Sequence, residues 1–440
     1  MGDLLMFISG TALTWSSPEI TKLSDSTSSL LKDDVSSEEY TWVSSLVTLG
    51  AAIGPFIYGY LSNKFGRKYV LLSMGVPFLI SYITVAYAKT VYLFYFARLL
   101  AGLAVGGVFA ILPVYVGEIT TKINRGTLSA TMSCAVCLGF LFSYVFGPYL
   151  SVMLFNLILA IFPALFLVLF SVVGVECPHY YLHKQQNDMA KASLQKIRAY
   201  VKNEVLEKEL LEIQAKISEE GHGSIFDIFR SRGATKAFIV AVGLLIFQQF
   251  SGINAVLFYS QTIFKQTGAS LEPAVCSIII GSVQFASSLV TPLIADRFGR
   301  KTILLYSATG MILSELPLGV YSYLKDHGTN METLSFLPIF LLTIFIFSYN
   351  SGFGPIPWIV LGEIFPNKIK TIATSLVSCI NWFLAFLITK YFDTMINTFG
   401  MGQSFWAFAV FCIVATVFTH LYVVETKGKS LEEIQDILND

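Results

Sequence analysis

Runs of about 20 mostly apolar residues, each able to cross roughly 30 Å of hydrocarbon as a helix, restrict this chain more than any other feature. Twelve runs lie near 4–17, 42–62, 69–88, 92–116, 127–149, 152–174, 236–260, 273–295, 302–323, 335–361, 372–392 and 404–424. A bilayer offers backbone groups no water, so segments of this length pair their own N–H and C=O groups as helices. The expected fold is an all-α membrane protein with twelve transmembrane helices. With 54% hydrophobic and 13% charged residues, the chain is too apolar for a water-soluble enzyme. In the first run only Leu4 to Trp15 is clearly apolar, so a truncated first helix is expected, followed by an outside loop from Pro18 to Tyr40. A signal peptide fits less well, because Met1 to Ser17 has no basic segment and carries Asp3.

Charge placement orients the spans. If the N-terminus is cytoplasmic, that side holds 22 of the 29 Lys and Arg residues, the other side holds six, and Arg98 lies within a span. This asymmetry predicts that both termini are cytoplasmic. Net charge is zero, and nothing in the sequence implies a nucleic acid or an obligate protein partner; the partners expected are the lipid bilayer and a small solute. Cys134 and Cys137 form a lone C-x-x-C within an apolar helix, where packing explains them better than a metal.

The runs divide six and six around a charged segment, giving an N-terminal half at 1–182, a linker at 183–235, a C-terminal half at 236–425 and a tail at 426–440. In the linker, Leu194, Ile197, Val201, Val205 and Leu210 recur at near-helical spacing, which predicts short amphipathic helices. The halves repeat one another: Asn63-Lys-Phe-Gly66-Arg67-Lys68 recurs 233 residues later as Asp296-Arg-Phe-Gly299-Arg300-Lys301. Glu118 precedes Arg125 by seven residues as Glu363 precedes Lys370, and Val175-Glu176 matches Val424-Glu425. Such matched signatures point to a duplicated six-helix unit with a site between the halves. Arg67, Arg125 and Arg300 with Glu118, Glu176, Glu363 and Glu425 suggest a latch of ion pairs between the two bundles at the cytoplasmic mouth. Topogenic charge alone is the alternative.

Polar groups within the runs mark the site. Gln248, Gln249, Ser251 and Asn254 place amides and a hydroxyl where hydrocarbon should be, and Gly252 permits a bend. Amides donate and accept, which a neutral polyol requires. In the tenth run Pro355 and Pro357 break the helix, and Trp358 offers a flat apolar face with an indole N–H at its edge. Gln284 and Asn381 would complete a polar ring. Arg98 is read as the one formal charge deep in the bilayer, paired with a cytoplasmic carboxylate or helix terminus. Gly102, Gly106 and Gly107 read as close helix packing, since no strand precedes them to make a phosphate loop.

Together the two G-R-K turns, Q-Q-F-S-G-I-N at 248–254, G-P-I-P-W at 354–358, N-W at 381–382 and V-E-T-K-G-K-S-L at 424–431 resemble the sugar-porter branch of the major facilitator superfamily, over nearly the whole chain. Trp15-Ser-Ser-Pro18 and Glu363-Ile-Phe-Pro366 are similar to its insect trehalose-transporter group and to related glucose facilitators. The resemblance implies the major facilitator fold and sugar contacts at Gln248, Gln249, Asn254, Gln284, Trp358 and Asn381. It also implies an outer gate at Tyr259, while the helix broken at Pro355 and Pro357 can itself gate. Ser133 stands where glucose facilitators carry a sugar-binding glutamine, and Thr11 stands where proton-coupled members carry an aspartate.

The expected function is facilitative transport of a neutral sugar, trehalose or a hexose such as glucose, by alternating access. Proton-coupled symport and a non-transporting sugar receptor remain alternatives. No cofactor, metal or catalytic residue is implied, so the chain is not read as an enzyme. The expected location is the plasma membrane, with an endosomal or lysosomal membrane as the alternative.

Overall fold

A computed structural model describes residues 1–23, 36–121, 125–198, 203–219, 224–295, 297–429 and 431–439. The N-terminal half comprises α1 (Gly2–Thr14), α2 (Ser16–Leu23), α3 (Ser37–Phe65), α4 (Arg67–Ala86), α5 (Val91–Ile119), α6 (Arg125–Phe146) and α7 (Val152–Val173). A helical linker follows as α8 (Pro178–His183), α9 (Asn187–Ile197), α10 (Asn203–Glu219) and α11 (Asp227–Arg230). The C-terminal half comprises α12 (Arg232–Phe250), α13 (Ile253–Thr267), α14 (Pro273–Ala295), α15 (Arg300–Asp326), α16 (Leu337–Ser351), α17 (Ile356–Ile364), α18 (Asn367–Phe399) and α19 (Met401–Tyr422). The tail carries α20 (Leu431–Asn439). Joining α1 to α2, α12 to α13 and α16 to α17 as broken helices gives twelve crossings among the described residues.

The first crossing is longer than its sequence implied. α1 and α2 contribute 13 and 8 residues, and Trp15 between them keeps right-handed helical angles (φ −49°, ψ −39°). Pro18 has no N–H to give the Thr14 carbonyl, so the ladder skips a rung there and resumes with Glu19 N–H donating to Trp15 O at 3.4 Å. The expected loop from Pro18 is therefore corrected, because the helix runs on to Leu23: polar Ser16, Ser17 and Glu19 look like a helix end, yet all three are buried against other helices.

Small residues set how closely the helices approach. A Cβ on Gly102 would stand 2.2 Å from Val47 O, and one on Gly106 would stand 2.2 Å from Ala51 O, so α5 crosses α3 almost backbone to backbone. The expected packing role of this cluster is borne out. In the linker, Leu194 is buried as expected, but Val205 is exposed and Leu206 is buried in its place. That one-residue shift follows the face α10 turns toward Leu182 and Ala190. Val201 lies outside the described residues.

The linker and tail share one membrane face, here called the linker face. Arg198 donates to Ile119 O at 2.9 Å, and Gly233 N donates to Asn439 Oδ1 at 2.8 Å. Hydrogen bonds between the halves gather toward the opposite, far face. There Tyr144 donates to Leu257 O at 2.8 Å, Ser16 to Phe258 O at 3.3 Å, and Lys390 to Thr41 Oγ1 at 2.8 Å.

Candidate functional site

The amide cluster forms where two helices break. Gly252 ends α12 in the left-handed region (φ 77°), and a Cβ there would meet the Phe408 ring at 2.5 Å. Opposite it, α16 stops at Ser351 and α17 starts at Ile356. In an unbroken helix Phe353 O would accept from residue 357, but Pro357 has no N–H. Gln248 supplies the missing donor: its Nε2 reaches Phe353 O at 2.6 Å and Gly354 O at 2.8 Å. Ser307 Oγ accepts from Phe353 N at 2.9 Å and completes the brace.

A second chain of amides runs beside it. Gln249 Nε2 donates to Asn381 Oδ1 at 2.7 Å, and Asn254 Nδ2 donates to Gln249 Oε1. Gln248, Gln249 and Asn381 are buried, whereas Asn254 is half-buried. The polar groups thus satisfy one another across α12, α13 and α18, which removes the cost of leaving them bare in hydrocarbon. The amides are held in place as fixed donors and acceptors. Trp358 is half-buried on α17 beside the break, and buried Gln284 Oε1 on α14 has no hydrogen-bond partner among the described residues. No described hydrogen bond joins Gln284 or Trp358 to the amide chain. Ser133 is exposed on α6.

Toward the far face, Tyr259 sits at a kink in α13 (φ −121°, ψ 21°) and donates to Thr389 O at 2.8 Å. Thr389 in turn lies 3.4 Å from Thr48 of the other half. Thr21 donates to Gln261 Oε1 at 3.0 Å, and Gln261 N donates to Ser17 Oγ at 3.3 Å. Sequence reasoning missed Ser16, Ser17, Thr21 and Lys390 in this closure. For the first three the one signal was small hydroxyls following an apolar run, which reads equally well as a loop; Lys390 gave none beyond a charge within a long apolar helix.

On the linker face the described ion pairs among the expected latch residues lie within each half. Arg67 meets Glu118 (Nε to Oε2, 3.2 Å) within the N-terminal half, and Arg300 meets Glu363 (Nη2 to Oε1, 3.0 Å) within the C-terminal half. Glu176 accepts from the backbone N of Arg67 at 2.8 Å and of Lys68 at 3.1 Å. Glu425 repeats this with Arg300 N at 2.8 Å and Lys301 N at 3.1 Å. Each carboxylate therefore caps the helix that follows its own G-R-K turn, where the unpaired N–H groups and the helix dipole favour an anion. The described pairs hold each half together because the turn and its carboxylates belong to neighbouring helices of one bundle. Burial pushes the Glu176 carboxyl up, against the pull of the Cys177, Arg67 and Lys68 N–H bonds and the Arg67 charge. The Arg125 side chain and Asp296 lie outside the described residues.

Arg98 also differs from expectation. Its Nε donates to Val43 O at 3.1 Å and its Nη1 to Ala12 O at 2.7 Å, with the guanidinium 4.8 Å from the Trp15 ring. Ala12 lies in the last turn of α1, so the partner is a helix terminus as one expectation had it, but it lies toward the far side and no cytoplasmic carboxylate is among the described partners. Nor is it the one deep charge: Glu315 on α15 and Lys390 on α18 are 2% and 7% exposed. Thr11 faces Tyr82, with Oγ1 and OH 2.8 Å apart.

Comparison with known proteins agrees with this arrangement. Residues 7–438 match the family model described as Sugar (and other) transporter. The chain is 37% identical over 404 residues to the facilitated trehalose transporter Tret1 of Bombyx mori, covering 91% of this chain and 79% of that protein. It is 35% identical over 437 residues to the Tret1-2 homolog of Drosophila sechellia, covering 98% and 88%. The inward-open xylose transporter XylE from E. coli superimposes with a TM-score of 0.81 at 23% identity, over 99% of this chain and 98% of that one. Two six-helix halves joined by a helical linker are the major facilitator fold. By its sequence over nearly its whole length, and by its fold, the chain belongs to the sugar transporter family.

Proposed function

We propose that this protein is a facilitative uniporter of a neutral sugar and that the far face is closed in the conformation described. The observation that carries the reading is the amide chain Asn254–Gln249–Asn381 beside Gln248 and the broken α16–α17 helix. Neutral donors and acceptors of this kind suit hydroxyl groups and give a charged solute no counter-ion. Gln248, Gln249, Asn254, Gln284, Trp358 and Asn381 contact the sugar; Tyr259, Pro355 and Pro357 gate it.

Uniport is supported by the surroundings of Arg98, whose described partners are carbonyls and Trp15, and by neutral Thr11 on the same helix. A carboxylate facing Arg98 would give a proton somewhere to sit. Trehalose is favoured over a hexose because both insect relatives are named as facilitated trehalose transporters. The basic linker face is cytoplasmic, both termini lie on that side, and the membrane is the plasma membrane. With the far face tied shut, the described state faces inward. Arg67, Arg125, Arg300 and their carboxylates hold each bundle rigid as it rocks, with the halves at 1–182 and 236–425 moving about the 183–235 linker and the 426–440 tail.

Uptake of labelled trehalose and labelled glucose into proteoliposomes, with and without an imposed proton gradient, tests this. Equilibration of one sugar with no gradient effect is expected. Gradient-driven accumulation indicates symport instead, and binding without uptake indicates a receptor.

A further inference from the structure

At the linker-face end of the N-terminal half, three side chains of different chemistry converge. Glu118 closes α5, while Cys177 and His179 flank Pro178 at the start of α8. One ligand atom from each lies within 4.8 Å of the other two, and Cys177 Sγ is 3.5 Å from His179 Nδ1. Zinc bonds of about 2.3 Å to sulfur and about 2.0–2.1 Å to nitrogen, opened to a tetrahedral angle, put sulfur and nitrogen about 3.5 Å apart. The pair already stands at that separation.

We propose that Glu118, Cys177 and His179 form a binding site for zinc, with water as the fourth ligand. A thiolate, an imidazole and a carboxylate are the donor types of a zinc site with one open position, and the sulfur excludes magnesium or calcium as the preferred ion. The backbone holds the ligands ready. Cys177 N donates to Glu176 Oε1 at 2.9 Å, and Tyr115 OH ties down Val175 O at 2.6 Å. Cys177 is fully buried, whereas Glu118 and His179 are half-buried, so the ion enters on their side.

Two features shape its behaviour. A cysteine binds zinc as thiolate, so the ion displaces the Cys177 thiol proton as it binds. Both Glu118 oxygens accept from Arg67, at 3.2 and 3.3 Å, so the ion takes one oxygen from the arginine. Binding therefore loosens the Arg67–Glu118 pair at the end of α5.

Cobalt(II) titration of the purified full-length protein, followed by zinc, tests the site. A thiolate-to-cobalt charge-transfer band is expected, saturating at one ion per chain, abolished by zinc and accompanied by proton release. The band should disappear in Cys177→Ser and His179→Ala and persist in Cys379→Ser, which alters one of the five other cysteines. Absence of the band in the unmodified protein, or its survival in Cys177→Ser, overturns the proposal. Because the unmodified chain decides the first point, a variant that fails to fold leaves the test standing, and neither result depends on which sugar is carried.

Discussion

Gly66 and Glu176 are so close that a Cβ on Gly66 would stand 2.3 Å from Glu176 Oε2. The contact recurs in the other half, where a Cβ on Gly299 would stand 2.1 Å from Glu425 Oε2. Each glycine lets a carboxylate reach the bare N-terminus of the next helix. The repeated motif is thus a capping device built twice.

The two glycines differ in backbone, which separates two causes of damage. Gly66 has φ 94°, whereas Gly299 has φ −66°. Gly66→Ala is expected to lower stability by about 1–3 kcal/mol more than Gly299→Ala, the usual cost of strained backbone for a residue with a Cβ. Thermal unfolding of both variants in one detergent checks the order, and equal losses would mean that the carboxylate clash alone matters.

The Glu176 carboxyl titrates above its ordinary range because burial outweighs its hydrogen bonds. A raised carboxyl binds its proton more tightly in the folded state, so its favourable contribution is present at low pH and is lost as pH rises through its folded value. Relative to Glu176→Gln, the wild type should therefore lose thermal stability on going from acid to neutral pH. A difference that grows in the opposite sense would show the carboxylate held mainly by its N–H donors.

Gln248→Ala removes the two bonds to Phe353 O and Gly354 O. Sugar affinity is expected to fall by about 1–3 kcal/mol, the range for leaving a buried polar partner unpaired, while expression changes less. Gln249→Ala should do similar damage, since it strands Asn381 and Asn254 together. Equilibrium binding of labelled sugar to purified variants checks both; normal affinity in either would remove that residue from the site.

Arg300→Ala breaks the tie between α15 and Glu363 on α17, well away from the amide chain. Transport should slow while equilibrium sugar binding stays near wild type. Binding that collapses in proportion to uptake would show Arg300 to be structural support for the site itself.

Much of this was legible locally. Hydrocarbon admits long helices and little else, so the apolar runs announced twelve crossings, and Gly252, Pro355 and Pro357 break helices through their own covalent geometry wherever they occur. The Gln248–Asn254 cluster stood out because amides are costly in lipid. The end of the first helix was misjudged at Ser16–Glu19, since partners there come from α13, far along the chain. Partner choice was beyond local reading as well. Arg98 turned to Val43 O and Ala12 O, Tyr259 to Thr389 O, and Glu176 to Arg67 N, each across dozens of residues or more. Spacing along a chain tells which residues share a helix face, but which faces meet depends on how helices pack, and only the assembled bundle settles that.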